Sequence, residues 1–236
     1  MKDVVKVPHT LIWRGFTVAS TLFFISLGYL FSRGKRRRIK MVERLWGKSV
    51  LAVGGIRLKV EGLENVPASP VIYMANHQSD LDWPILHSVL PGDFVLLAKK
   101  ELFQTPIFGK YIKFAGHQSI DRSSALNVFK AFRGVAKTVK KGRSIAIFPE
   151  GTRTVDGRLG DFSPISFLVA KETGAPVVPV VIDGSFKALR KGNPILSAAT
   201  IKVKILKPFF FGKEIDNEVA ARQLKETISK ELGIGI

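Results

Sequence analysis

The chain has no cysteine. That excludes disulfide bridges, a thiol nucleophile and any cysteine-ligated metal. No Gly-x-Ser-x-Gly segment occurs either, so the strained strand-to-helix turn that presents a catalytic serine has no candidate. Histidine is scarce, at four residues, and an imidazole base therefore has few positions to occupy. Acids are few as well: 19 Asp and Glu stand against 37 Lys and Arg, a formal net charge of +18 over 236 residues. A surplus of that size predicts an anionic partner, whether nucleic acid, acidic lipid or an acidic carrier protein. Internal repeats, low-complexity tracts and long linkers are also missing.

What is present begins with an uneven charge. Residues 1–58 carry 12 Lys and Arg against two acids, a net of +10, and residues 59–236 carry 25 against 17, a net of +8. The first excess flanks an uncharged run over residues 15–31, with Arg14 before it and Arg33, Lys35, Arg36, Arg37 and Arg38 after it. As a helix, those 17 residues would span about 25 Å against a hydrocarbon core of roughly 30 Å, which is marginal for a crossing. A cleaved signal peptide fits poorly, because the charge cluster follows the apolar run. Val42, Leu45, Trp46, Ser49, Val50 and Val53 then recur at helical spacing until Gly54 and Gly55 stop the pattern. The expectation is two helices over residues 8–54, joined by a basic turn. Their apolar faces would sink into one leaflet while the cations of residues 33–40 meet lipid phosphates. A single transmembrane anchor is the alternative. Charge gathered beside an apolar stretch favours lipid over nucleic acid, and no recognition helix or base-stacking motif stands out.

After Gly55 the pattern becomes α/β. Apolar, β-branched runs lie at 56–60, 71–75, 94–98, 144–148, 177–182 and 201–206, and helix-like stretches at 80–90, 123–140, 163–173 and 217–232. The alternation predicts a mostly parallel mixed sheet covered by helices.

Polar residues cluster where the runs end. Asn76-His77-Gln78-Ser79-Asp80-Leu81-Asp82 follows the second run. Ser79 is placed to cap the next helix, with His77 just outside the helix's positive end and Asp82 one turn inside. Asp82 can then fix the imidazole tautomer and stabilise an imidazolium. The plainer reading makes Ser79 and Asp82 a capping pair, the acid favoured by the helix dipole. Phe148-Pro149-Glu150-Gly151-Thr152-Arg153 leaves another strand end. Gly151 allows a turn and a close approach to a ligand, and Arg153 offers a planar fork suited to a phosphate monoester. A turn with a Glu150–Arg153 ion pair is the alternative. Lys99 and Arg122 follow two further stretches and read alone as solvated charges. No metal set appears: His77 has no second histidine nearby, His87 and His117 have no ligand spacing, and His87 reads as a helix-face residue.

Together these segments resemble the glycerolipid acyltransferase family over roughly residues 55–212. Asn76-His77 with Asp82 is similar to its N-H-x-x-x-x-D block. Lys99-x-x-Leu102 with Gly109 and Arg122 resembles the second block, Phe148–Arg153 the third, and Val178-Pro179-Val180-Val181-Ile182 the fourth. Phe162-Ser163-Pro164-Ile165 stands where the family often carries a Lys/Gly run.

The resemblance implies a catalytic α/β domain over 55–236; the charge and periodicity of residues 1–54 place a membrane-associating hairpin before it, expected to be monotopic at the cytoplasmic face of the inner or plasma membrane. It implies direct transfer from an acyl thioester of coenzyme A or acyl carrier protein to lysophosphatidic acid, with no other cofactor and no nucleic acid. His77 would be the base and Asp82 its partner. Lys99 and Arg153 would hold the phosphate, supported by Glu150, Gly151, Thr152, Arg122 and Asn76. Glu150 would orient Arg153 or bind glycerol, and backbone N–H groups at the helix start are candidates for stabilising the oxyanion. Glycerol-3-phosphate or another lysophospholipid as acceptor, and a non-enzymatic basic membrane tether, are the competing expectations.

Overall fold

The apolar runs after Gly55 become strands of one sheet. The computed structural model describes residues 2–68, 70–193, 195–212 and 214–234, with side chains from residue 7 onward. The outermost residues of the two predicted domains, 1 and 235–236, lie outside that set. Among the described residues seven strands form: β1 (Ile56–Glu61), β2 (Ile72–Ala75), β3 (Phe94–Lys99), β4 (Gln118–Ile120), β5 (Ser144–Ile147), β6 (Val177–Asp183) and β7 (Ala199–Ile205). Across the sheet they lie in the order β1-β7-β6-β2-β5-β3-β4. Every neighbouring pair is parallel except β6 with β7. Strands β6, β2, β5, β3 and β4 therefore deliver their carboxyl ends to one edge.

The helices are α1 (Lys2–Ser32), α2 (Arg36–Val53), α3 (Asp82–Val89), α4 (Lys100–Phe103), α5 (Phe108–Phe114), α6 (Ala125–Lys140), α7 (Leu168–Thr173), α8 (Ser185–Ala188) and α9 (Asn217–Leu232). The pleat sends alternate residues to opposite faces. Tyr73, Leu96, Val178 and Val180 face Val50 of α2 and Ile85 and Leu86 of α3. Ile72, Val95, Ile145 and Val181 face Phe132 and Val135 of α6, Val169 of α7 and Leu224 of α9. The predicted class, a mostly parallel mixed sheet covered by helices, is the one observed.

The differences are local. At three residues, β4 is too short to show a period. The stretch predicted as one helix over 163–173 divides into a 3-10 turn, Pro164–Phe167, and α7. The helix expected from residue 80 starts at Asp82 with Leu81 as its cap. Ser79 is not that cap: its hydroxyl accepts the Leu81 N–H at 3.1 Å and donates to the Leu189 carbonyl at 2.5 Å.

The amino-terminal helices form an antiparallel pair. Trp13 Nε1 donates to the Val50 carbonyl at 3.0 Å, Trp46 Nε1 to Thr21 Oγ1 at 3.0 Å, and Arg38 Nη1 to the Phe31 carbonyl at 3.2 Å. Helix α1 outruns the uncharged segment. Its 26-residue stretch Val7–Ser32 would span about 39 Å, so the argument from a short apolar run does not hold. The predicted apolar face of α2 is also only half right. Val42 and Val50 are buried, but Leu45 and Val53 are exposed, and Ile39, Glu43, Gly47 and Leu51 complete the inward face. Gly47 marks where α2 crosses α3: a Cβ there would lie 2.6 Å from the Pro84 carbonyl oxygen and 2.8 Å from Ser88 Oγ.

Beside that crossing, the fold joins three groups that have no ligand spacing in sequence. Ligand atoms of Glu43, His87 and His117 all lie within 4.8 Å of one another, buried. His87 lies on a buried face of α3. The hydrogen bonds argue for a polar network over an ion site. The Leu96 N–H donates to His117 Nδ1 at 2.9 Å, so His117 Nε2 carries the proton and donates to Glu43 Oε1 at 2.9 Å. A metal on Nε2 would move that proton to Nδ1, against the Leu96 N–H. Lys40 already pairs with the other Glu43 oxygen. Burial raises the Glu43 carboxyl, but Lys40 and the two imidazoles outweigh it and hold the group below the usual carboxylate range. Burial holds the His87 imidazole down at about 3, against its ordinary 6.5.

Two outcomes are expected. Gly47→Val should lower unfolding stability by about 1–3 kcal/mol through overpacking at α3. Gly15→Ala, with nothing within 4 Å of its Cβ, should be neutral or stabilising by up to ~1 kcal/mol; equal midpoints in denaturant would contradict the close crossing. Acid should destabilise the fold through His87. Below 6.5 the unfolded chain binds a proton that the folded chain refuses until about 3, so stability present above pH 6.5 is lost as pH falls across that window. Melting temperature should therefore fall from pH 7 to pH 5, and less steeply in His87→Phe.

Candidate active site

Strand β2 runs out at Ala75, and the next residue closes the ladder with its side chain. Asn76 Oδ1 accepts the Ile182 N–H at 2.8 Å, and Asn76 Nδ2 donates to the Ile182 carbonyl at 2.9 Å. The amide thus pairs the end of β2 to β6 and is fully buried. The polar part of the first block and the apolar fourth block are two halves of this contact.

His77 is then held on both sides of its backbone by the segment after β5. Its N–H donates to Glu150 Oε1 at 2.6 Å, and its carbonyl accepts the Thr154 N–H at 3.0 Å. Glu150 Oε2 accepts the Gly160 N–H at 2.9 Å. Glu150 therefore clasps two loops and does not pair with Arg153, contrary to the sequence expectation. Burial raises its carboxyl pKa despite these two N–H donors.

The His77 ring stacks on Phe148, centroids 3.9 Å apart and planes 14° from parallel. Its Nδ1 lies 2.8 Å from Asp82 Oδ2, which also accepts the N–H groups of Gln78 at 2.7 Å and Ser79 at 2.9 Å. An ionised carboxylate only accepts, so Nδ1 carries the proton and Nε2 keeps its lone pair. Asp82 is at once the acid in the first turn of α3 and the acceptor for His77 Nδ1, although Ser79 does not cap the helix. Four of the backbone donors near the helix start are already committed. Gln78 and Ser79 N–H serve Asp82, Leu81 N–H serves Ser79 Oγ, and Asp82 N–H serves the Ser79 carbonyl.

His77 opens on a cavity of about 820 Å³ that is also lined by Lys99, Arg122, Glu150, Gly151, Thr152 and Arg153. Its apolar wall includes Trp83, Phe108 and Phe132, together with Trp13 of α1 and Trp46 of α2. Lys99 and Arg122 come together because β3 and β4 are parallel neighbours, Lys99 opposite Ile120. Neither has a carboxylate partner among the described residues, whereas Lys100 pairs with Asp121 at 2.8 Å. Arg153 pairs with Asp80 across the cavity mouth. Gly151 has φ +71° with nothing within 4 Å of a Cβ, so the glycine answers to backbone conformation. Lys191, which the sequence does not single out, also lines the cavity and donates to Thr152 Oγ1 at 3.4 Å. The site thus combines a proton acceptor of fixed tautomer, cations for an anionic ligand and an apolar wall.

Known proteins share this framework. A chloroplastic 1-acyl-sn-glycerol-3-phosphate acyltransferase of Brassica napus is 35% identical over 187 residues, covering 78% of this chain and 54% of the relative. The 1-acyl-sn-glycerol-3-phosphate acyltransferase of Pseudomonas aeruginosa is 35% identical over 153 residues, covering 61% of this chain and 58% of the relative. The chain spans somewhat over half the length of these curated relatives. The crystal structure of the 1-acyl-sn-glycerophosphate (LPA) acyltransferase PlsC from Thermotoga maritima superposes with a TM-score of 0.85 at 26% identity, covering 99% of this chain and 97% of that one. Residues 57–183, which carry the first three strand-end blocks and the fourth, match the family described as Acyltransferase, and the chain belongs to that family.

Proposed function

We propose that the protein is an O-acyltransferase that moves an acyl group from a thioester of acyl carrier protein or coenzyme A to the sn-2 hydroxyl of 1-acyl-glycerol-3-phosphate, giving phosphatidic acid. The observation that carries this reading is His77, held at Nδ1 by Asp82 at 2.8 Å while Nε2 stays available beside a cation-lined cavity. The names of the relatives support the acceptor.

His77 Nε2 takes the proton of the acceptor hydroxyl as that oxygen attacks the thioester carbonyl. The imidazolium formed is stabilised by Asp82. The tetrahedral intermediate then collapses, breaking the C–S bond, and His77 returns the proton to the leaving thiolate. Arg153, Lys99 and Arg122 hold the acceptor phosphate, and Arg153 exchanges Asp80 for that phosphate as it binds. Such an exposed pair contributes only about 0–1 kcal/mol, so the exchange costs little. Glu150 and Asn76 act by positioning His77.

Residues 1–54 serve as the membrane-associating element and 55–236 as the catalytic domain. Helix α1 touches the domain near both ends: Thr10 Oγ1 accepts the Leu196 N–H at 3.0 Å, and the Tyr29 ring lies 4.6 Å from that of Phe114. A helix lying along the domain in this way supports the one-leaflet reading over a single crossing. Its outward side exposes Leu11, Ile12, Val18, Phe23 and Leu30, and α2 adds Met41 and Leu45, a surface suited to one leaflet at the cytoplasmic face.

Purified protein supplied with lysophosphatidic acid and either donor should form phosphatidic acid. His77→Ala should reduce turnover by about 10²–10⁴-fold with the melting temperature preserved; near-normal turnover in that variant removes His77 as the base. Arg153→Ala should raise the acceptor KM and leave the donor KM unchanged, and the reverse pattern would assign Arg153 to the donor.

A further inference from the structure

Two anionic substrates have to meet at His77, and the cations around it fall into two groups. Lys99, Arg122 and Arg153 line only the inner cavity. Lys191 lines that cavity and also a second, outer hollow of about 440 Å³, whose other walls are Val155, Arg190, Gly192 and Asn193. Neither Arg190 nor Lys191 has a carboxylate partner among the described residues. The acid nearest in sequence on the facing loop, Asp156, is committed to Thr154 Oγ1, the Arg158 N–H and the Arg158 guanidinium.

The turn that carries these cations is built in place. The Asn193 N–H closes it on the Arg190 carbonyl at 3.2 Å, with Gly192 at φ +82°. Its root, Leu189, accepts the Ser79 hydroxyl at 2.5 Å, two residues from His77. Lys191 is thus referenced to the catalytic segment and reaches the third block at Thr152.

Resting on the acyl-transfer reading above, we infer that Lys191 and Arg190 form a separate subsite for the phosphate of a phosphopantetheine-bearing acyl donor. Bond connectivity separates the two phosphates. The acceptor phosphate sits on the carbon next to the one bearing the attacking hydroxyl, so it must lie close to His77, among the inner cations. The donor phosphate is separated from the thioester by the whole pantetheine arm, so it must lie away from His77. The outer hollow shares Lys191 with the inner cavity, and it offers two cations with no carboxylate partner among the described residues. Coenzyme A and acyl carrier protein share the 4′-phosphate of this pantetheine arm, and the subsite reads that shared group.

The test uses the full chain in lipid nanodiscs. Equilibrium titration with 4′-phosphopantetheine and with pantetheine needs no turnover. Wild type should bind the phosphorylated form about tenfold tighter, one charge-assisted hydrogen bond's worth, and the Lys191→Ala, Arg190→Ala pair should lose that preference. In steady state the pair should raise the KM for acyl-CoA and acyl carrier protein alike, leaving acyl-pantetheine and the acceptor KM within twofold of wild type. A shift in the acceptor KM, an equal loss with acyl-pantetheine, sensitivity confined to the carrier protein, or no phosphate preference in wild type each overturns the subsite. Phosphate preference without turnover of any donor would sink the acyl-transfer reading and leave the subsite standing.

Discussion

Five parallel strands have to end on the same side of their sheet, and every polar residue of the site depends on that constraint. His77 follows β2, Lys99 ends β3, Arg122 follows β4, Glu150 and Arg153 follow β5, and Lys191 follows the short helix after β6. These segments are up to 114 residues apart in the chain (77 to 191), yet each sits at a carboxyl end or within eight residues beyond one. Antiparallel β7 and its partner β1 turn the opposite way and contribute no residue to the cavity. Open parallel sheets offer a crevice at this edge as a matter of geometry.

Within that crevice, precision comes from buried carboxylates. An uncompensated buried charge costs several kcal/mol, so each such group restricts its neighbours strongly. Asp82 Oδ2 takes three donors, from His77 and two backbone N–H groups, while its buried Oδ1 has no partner among the described residues, and Glu150 is satisfied by backbone N–H groups of two loops. Glu43 is satisfied by Lys40 and His117. The first sets the imidazole, the second sets the loop carrying Arg153, and the third locks α2 against α3 and β3. The amino-terminal helices are therefore part of the cavity wall as well as an apolar surface, through Trp13 and Trp46.

The roles of individual residues were unevenly legible. His77 and Asp82, five apart around one turn, are local, so their contact could be read from spacing and helix geometry. Asn76 and Glu150 were found as motif members, but their work is to bind backbone groups 106 and 73 residues away, at Ile182 and His77, which no local pattern reveals. Arg153 takes Asp80 as its partner in place of Glu150 because Glu150 is already spent on backbone N–H groups. The Glu43–His117 contact spans 74 residues and had no signal at all.

Periodicity and strand-end chemistry alone thus determined the α/β class, six of the strands, the pair of cationic and apolar helices, and the contact of His77 with Asp82. These are short-range properties, written in neighbours two to five residues apart. Strand order, the length of α1, the inward face of α2, the buried Glu43 network and the arrival of Lys191 beside Thr152 were decided by tertiary structure. They depend on which surfaces pack together, and packing between segments far apart in the chain leaves no period in either one.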